Sequence, residues 1–171
     1  MKLLVCAMEA SSNIHLKELK KYLSHDVKLV GVFDKELGNP LYDLTALAIM
    51  GIVDALKKLR FFFKLRDELV DLAKDCDKVL LMDSSGFNLP LAKKLRETYP
   101  NKEIIYYILP QAWAWKKGRV KKLEAYCSKL CSIIPFESEM YSDKNKITYV
   151  GHPLLDEITK KKKKLSNTNK I

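Results

Sequence analysis

The stretch KVLLMDSSGFNLPLAKKLRE, residues 78–97, decides the fold. Its first five residues, Lys78–Met82, form an apolar run of the length expected for a buried strand. A polar segment follows, and the apolar spacing from Leu89 to Glu97 then predicts a helix, with Pro90 tolerated in its first turn. A strand, a polar turn and a helix in this order form the first part of a βαβ unit.

The same alternation continues in both directions from this stretch. Further strands are predicted at Lys2–Met8, Val27–Phe33, Glu103–Leu109, Lys129–Ile134 and Lys146–Val150. Helices are predicted at Asn13–Leu23, at Thr45–Lys74 with a break near Gly51, and at Lys116–Tyr126, with a helical turn at Glu137–Tyr141. Strands that alternate with helices predict an α/β fold, in which a Rossmann-like parallel sheet is flanked by helices.

The positive charge of the chain is concentrated near its end. The net charge is +10, from 31 Lys and Arg against 21 Asp and Glu, and the run Lys160–Lys164 supplies half of it. We therefore expect one domain over residues 1–157 and a basic, disordered tail over residues 158–171. Because the basic residues outside the tail form no patterned face, we expect no nucleic-acid partner.

The cysteines do not have the spacing of a metal site. Cys127 and Cys131 are four residues apart, but no histidine lies near them, and Cys6 and Cys76 stand alone. Zinc sites need closely spaced cysteine and histidine ligands. Reduced thiols in a protein core are the simpler interpretation, and we expect neither a metal nor another cofactor.

Polar or aromatic segments follow the predicted strands. In parallel sheets ligands bind beyond the carboxyl ends of the strands, so these segments are the candidate site. They are Glu9–Asn13, Asp83–Asn88, Pro110–Trp115, Pro135–Glu137 and Gly151–Pro153.

Several of these segments match a known set of motifs in the same order along the chain. The matching segments are Glu9-Ala10-Ser11, Ala48–Val53, Asp83–Asn88, Leu109–Trp115 followed by Arg119-Val120, Pro135–Glu137 and Val150–Pro153. Trp113-Ala114-Trp115 is the most specific of them. With these motifs, residues 2–157 resemble the lipid-A-disaccharide synthase family. The chain departs from the family pattern at Met8 and Ser12, where the family has glycine, and at Gly86, where it has a second aspartate.

The resemblance implies a fold and a reaction. Members of this family resemble two-domain B-type glycosyltransferases, of which this chain would be the N-terminal half. The reaction transfers diacylglucosamine from UDP-diacylglucosamine to a diacylglucosamine 1-phosphate acceptor, in lipid A biosynthesis, at the cytoplasmic face of the inner membrane. The C-terminal half holds most donor contacts, so we expect that domain to be absent here and a separate C-terminal half to be needed. The alternative is a non-catalytic domain that binds acceptor or membrane.

Asp83 is the candidate catalytic residue. It ends a predicted buried strand and aligns with the family aspartate proposed as the general base. Glycosyl transfer needs a base that takes the proton of the acceptor hydroxyl as this attacks the anomeric carbon. The competing interpretation is that Asp83 caps the following helix or braces the Ser84-Ser85 turn.

The other candidates are residues that would contact substrate. Small residues before a helix can bind a phosphate through free N–H groups, although Ser11 or Ser12 is equally explained as an N-cap. The tryptophans would contact acyl chains or sugar, or pack between sheet and helix. Arg119 would pair with a phosphate, and His152 would contact a ligand or simply occupy a turn. The full set is Glu9, Ser11, Ser12, Asn13, Asn88, Gln111, Trp113, Trp115, Arg119, Glu137 and His152.

The segment Gly51–Arg66 predicts a contact with an anionic membrane surface. Its spacing places Ile52, Leu56, Leu59 and Phe63 on one helix face, which we expect to be the core stripe. Consecutive phenylalanines cannot all lie in that stripe, and an apolar patch ringed by basic residues is typical of interfacial helices. The predicted contact residues are Phe61, Phe62, Leu65, Lys57, Lys58, Arg60 and Lys64. Alternatively, the phenylalanines face a missing domain or a dimer partner.

Overall fold

A single parallel sheet organises the part of the chain that the computed structural model describes, residues 1–43, 55–111, 118–153 and 155. The strands are β1 (Lys2–Ala7), β2 (Lys28–Phe33), β3 (Tyr42–Asp43), β4 (Lys78–Met82), β5 (Glu103–Tyr107), β6 (Lys129–Ser132) and β7 (Ile147–Tyr149). The helices are α1 (Ala10–Lys20), α2 (Ala55–Ala73), α3 (Ser85–Thr98) and α4 (Gly118–Tyr126), with 3-10 turns at Lys35–Leu37 and Pro135–Met140. The prediction of an α/β, Rossmann-like parallel sheet with flanking helices is confirmed.

The strand order is β3-β2-β1-β4-β5-β6-β7, and all neighbouring strands are parallel. From β1 the chain moves towards one edge, through β2 and β3, and from β4 it moves towards the other. The order therefore reverses between β1 and β4, which are hydrogen-bonded neighbours. In open α/β sheets, such a reversal leaves a crevice at the carboxyl ends of the strands.

Alternate strand residues enter two separate cores, as the two-residue period of a strand requires. Leu4, Cys6, Val79 and Leu81 face the core that α2, α3 and α4 cover. Leu3, Val5, Leu80 and Met82 face the core that α1 covers. Because both faces of the central strands are buried, these strands read as continuous apolar runs.

An apolar groove of about 680 Å³ lies on the α1 side of the sheet. Its floor is formed by side chains of β1, β4, β5 and β6, and its walls by α1 and the residues after β7. The lining includes Leu19, Leu23, Leu80, Ile105, Tyr107 and Val150.

Several elements differ from their prediction, and α1 runs from Ala10 to Lys20 where Asn13–Leu23 was predicted. Helix α3 begins at Ser85, so Pro90 lies in its second turn and not in its first. Pro90 leaves the carbonyl of Gly86 without its helical donor, and Gly86 is exposed, so water can take that place. Strand β3 was not predicted, because two residues carry no detectable pattern. Of the helix predicted at Thr45–Lys74, Ala55–Ala73 is helical and residues 44–54 lie outside the described part.

Helix α2 buries a different face from the predicted one. Leu65 and Leu69 are fully buried, whereas Leu59 and Phe63, which were assigned to the core stripe, are 52% and 49% exposed. Phe61 and Phe62 pack against the same core as Leu65. The prediction that Leu65 contacts a membrane is therefore wrong, and Phe61 and Phe62 belong to the core side.

The aromatic rings of α2 explain this orientation. The ring of Phe61 lies 5.6 Å from that of Tyr42 and 5.7 Å from that of Phe62, and Phe62 lies 5.8 Å from Phe87. Such pairs add to the free energy of apolar burial. Arg60 and Lys64 are exposed as predicted, and the side chains of Lys57 and Lys58 lie outside the described part. No described helix is long and apolar enough to cross a membrane.

Candidate active site

The loops after β1 and β4 meet at the point where the strand order reverses. Glu9 follows β1, and Asp83 and Ser84 follow β4. The Ser84 hydroxyl donates a hydrogen bond of 2.7 Å to Glu9 Oε1, which joins the two loops directly. Asp83 therefore lies where the sequence predicts it, at the carboxyl end of a central strand and at the point where the strand order reverses.

The turn that carries Asp83 has an unusual backbone. Asp83 and Ser84 have φ angles of 48° and 39°. Residues other than glycine seldom adopt this left-handed region, and where they do the surrounding structure holds them there. Here the Asp83 carbonyl accepts hydrogen bonds from the Tyr106 hydroxyl and, at 3.1 Å, from Asn88 Nδ2. Both donor residues are fully buried, so the turn is held rigidly.

The structure excludes one of the competing interpretations of Asp83, the helix cap. The residue that caps α3 is Ser84, so Asp83 is not the helix cap. The backbone N–H of Ser84 favours the ionised form of the Asp83 carboxylate and lowers its pKa, which is what a brace of the turn would do. A brace and a base are compatible roles, because a carboxylate has lone pairs for both.

The Asp83 carboxyl group lies near that of Glu9, because Ser84, its neighbour in the chain, donates a hydrogen bond to Glu9 Oε1. Burial raises the pKa of Asp83 above its ordinary value, and the negative charge of Glu9 and a side-chain hydrogen bond to it raise that pKa further. The N–H of Ser84 acts in the opposite direction. Two carboxyl groups this close favour a proton on one of them, which makes Asp83 a stronger base than an isolated aspartate.

Two buried asparagines hold the loops in place. Asn13 Nδ2 donates to the carbonyls of Ala7 and Glu9, both at 2.9 Å, and its Oδ1 accepts from the N–H of Asp34 at 2.7 Å. Asn88 Nδ2 also donates to the Met82 carbonyl at 2.9 Å. Both amides thus bond backbone groups at the ends of the central strands. A direct contact of either residue with substrate stays a prediction.

The start of α1 only partly follows its prediction. Its N-cap residue is Glu9, so the interpretation of Ser11 or Ser12 as the N-cap is wrong. Ser11 is exposed on the first turn. Ser12 is 1% exposed, and its hydroxyl has no hydrogen-bond partner among the described residues.

The remaining candidates are spread along the same edge of the sheet. Gln111 is exposed beyond β5, and Arg119 is half-buried in the first turn of α4. Glu137 is buried and accepts a hydrogen bond from the Ser132 hydroxyl, which secures the loop after β6. The ring of His152 lies 5.9 Å from that of His15 on α1. Trp113 and Trp115 lie outside the described residues, and their roles stay predictions.

Tyr106 and Ser84 are the residues of this site that the sequence did not identify. A tyrosine among apolar residues of a strand gives a weak signal, because tyrosine is common in strands. From the sequence, Ser84 is assigned only to the turn that Asp83 would brace. Their contacts depend on which strands are neighbours. In the described residues, no group of three or more His, Cys, Asp or Glu side chains is arranged to hold a metal.

Comparison with known proteins gives one consistent result. The model of the lipid-A-disaccharide synthetase family matches residues 3–171. A lipid-A-disaccharide synthase of Helicobacter pylori (strain HPAG1) is 54% identical over 161 residues, which cover 94% of this chain and 44% of that protein. One of Campylobacter jejuni (strain RM1221) is 42% identical over 167 residues, which cover 91% of this chain and 45% of that protein. The chain thus spans less than half the length of these curated relatives.

Proposed function

The chain belongs to the lipid-A-disaccharide synthetase family, and from this premise we propose that it forms the acceptor side of a glycosyltransferase. The reaction joins diacylglucosamine from UDP-diacylglucosamine to diacylglucosamine 1-phosphate and releases UDP. The observation that supports this most is the 2.7 Å hydrogen bond from the Ser84 hydroxyl to Glu9, which keeps a second carboxyl group beside Asp83 at the carboxyl ends of β1 and β4. A base with a raised pKa, at the edge where α/β sheets bind ligands, is what the reaction requires.

In the proposed mechanism Asp83 acts as the general base. The acceptor hydroxyl attacks the anomeric carbon of the donor, and its proton passes to the Asp83 carboxylate. The bond from the anomeric carbon to the diphosphate breaks, and UDP leaves with the electron pair. The rigid turn at Asp83 lowers the barrier by keeping the carboxylate in place before the hydroxyl arrives.

Anionic groups of the substrates suit the first turn of α1. Ser11 is exposed there, and the backbone N–H groups of a first helical turn have no helical partners. We include Gln111 and His152 in this binding surface, with the family-matched Arg119, Trp113 and Trp115 as further contacts. Asn13, Asn88 and Glu137 support it from within.

The part of the family fold that lies outside the match is proposed to complete the donor site. Transfer needs donor and acceptor held together in a cleft that excludes water. More than half of the length of each relative lies outside the matched part. We therefore assign most donor contacts to a C-terminal half that acts together with this chain.

The test of this function is disaccharide formation from the two substrates. The purified chain is assayed alone and mixed with the part of the Helicobacter pylori relative that lies beyond the match. We expect turnover only in the mixture. Turnover by the chain alone would place the donor site within it and overturn the division of roles. No turnover from a folded chain in either case would favour the non-catalytic binding domain.

We propose that the exposed side of α2 contacts the membrane, in place of the residues predicted from the sequence. Leu59 and Phe63 are about half-exposed there, and Arg60 and Lys64 are exposed beside them. The Arg66 guanidinium lies 5.1 Å from the centre of the Phe63 ring. Each basic residue near an anionic leaflet contributes about 1 kcal/mol, and lipid-facing apolar side chains add to this. We propose peripheral binding to the cytoplasmic face of the inner membrane.

The double variant Leu59→Ser with Phe63→Ser tests this contact. Each replaced side chain withdraws about 1.5 kcal/mol of burial in the membrane surface, so we expect the double variant to bind about a hundredfold more weakly. The measurement is co-sedimentation with vesicles that contain phosphatidylglycerol. The control is Tyr22→Ser, which removes a 73%-exposed apolar side chain elsewhere. Equal binding by the double variant and wild type would exclude this face of α2.

A further inference from the structure

We propose that Glu9 is a positioning residue that acts through Asp83. Once Asp83 has taken the proton of the acceptor hydroxyl, its protonated carboxyl donates a hydrogen bond to the Glu9 carboxylate, which the Ser84 hydroxyl holds in place. This inference rests on the proposed function of Asp83 as the base, and it adds a residue that makes that base stronger.

The geometry behind it is a bridge between two fixed loops. The Ser84 hydroxyl donates to Glu9 Oε1 at 2.7 Å, across the boundary between β1 and β4. The Glu9 backbone is fixed by Asn13 Nδ2, at 2.9 Å from its carbonyl. The turn on the opposite side is fixed by Tyr106 and Asn88. Neither loop can draw back without breaking buried hydrogen bonds, so the two carboxyl groups stay together.

The groups around Asp83 leave Glu9 as its main electrostatic partner. Glu9 reaches it from the β1–α1 loop, and the backbone N–H of Ser84 from its own turn. The Tyr106 hydroxyl of β5 bonds the Asp83 carbonyl and not its carboxyl. Among the described residues, Glu9 is the charged side chain that acts on the Asp83 carboxyl, and no described cation offsets it. A carboxylate beside a carboxylate favours the protonated form of one of them.

The direction of the effect follows from these charges. Glu9 raises the pKa of Asp83, so replacing Glu9 by glutamine removes a negative charge and lowers that pKa. The lower pKa makes Asp83 a weaker base. In the assembled enzyme, the rate of the E9Q variant therefore begins to rise at lower pH than the wild-type rate. Its maximal rate at high pH also falls, but by less than the rate falls when Asp83 itself is replaced.

The experiment is a carboxyl-carbon NMR titration of Asp83 in the whole chain, which needs no turnover. The variants are E9Q, E9D and S84A, with E97Q as the matched control, because Glu97 is exposed on α3, where it pairs with Lys93 at 3.7 Å. We expect the Asp83 midpoint to fall in E9Q, to fall partly in S84A, and to stay raised in E9D and E97Q.

Each outcome decides the inference. An Asp83 midpoint that is the same in wild type, E9Q and S84A overturns it. If E9Q does not fold, S84A keeps both carboxyl groups and takes its place, and an unchanged midpoint in S84A overturns the inference equally. The proposed function is tested separately from this inference. If the mixture forms no disaccharide but the Asp83 midpoint still falls in E9Q, the two carboxyl groups interact and only their role in sugar transfer is excluded.

Discussion

Replacing Asp83 by asparagine is expected to lower the rate of disaccharide formation by about 10²- to 10⁴-fold, the usual contribution of a positioned general base. Asparagine keeps the size of the side chain and can still accept from the N–H of Ser84, but it cannot take a proton. The measurement is kcat in the mixture of this chain with the C-terminal part of its relative. The matched control is Asp71→Asn, at an exposed position of α2, for which we expect an unchanged rate.

Folding stability separates this loss from a structural defect. The folded-state pKa of Asp83 is raised, so any stability from protonating it is lost as pH rises through that pKa. At neutral pH the ionised side chain thus does not stabilise the fold, and D83N is expected to unfold at the wild-type denaturant concentration or above. A variant that keeps its rate but unfolds earlier would show that Asp83 only braces the turn.

The rate should also depend on pH in a defined direction. The carboxylate is the active form, so the rate rises with pH through the pKa of Asp83. Because burial and Glu9 raise that pKa, the rise lies at higher pH than for an ordinary aspartate. If the rate instead rises at the pH expected for an ordinary aspartate, Asp83 is separated from Glu9 in the working enzyme.

The position of Asp83 was predictable, and its environment was not. A polar residue directly after a buried run marks the carboxyl end of a strand, so local pattern was sufficient to place it. The contact between Ser84 and Glu9 joins residues 75 positions apart and exists because β4 pairs with β1. Strand order follows from the packing of the whole sheet, and no local pattern encodes it. The same holds for Tyr106, which reaches the Asp83 carbonyl from the neighbouring strand β5.

Helix α2 shows a different limit, because its apolar residues surround most of its circumference. The pair Leu59 and Phe63 and the set Phe62, Leu65 and Leu69 both have helical spacing. The second stripe continues to Ala73 in the last turn of the helix, and it is the buried one. The length of the second stripe, which reaches the end of the helix, therefore indicates the buried face. The sheet and α3 cover the face that gives the longer continuous contact.

The choice of face predicts a large difference between two truncations on α2. Leu65→Ala is expected to lower the free energy of unfolding by about 2–5 kcal/mol, because it opens a cavity in a fully buried position. Phe63→Ala removes more atoms but is expected to cost only about 1 kcal/mol or less, since it loses a half-exposed ring and its contact with Arg66. Urea unfolding with an unchanged m-value measures both. If Phe63→Ala lowers the free energy of unfolding more than Leu65→Ala does, the buried face is the one predicted from the sequence.

Vesicle binding should show the opposite order. Leu65→Ala should still bind vesicles while it is folded, and Phe63→Ala should bind them more weakly.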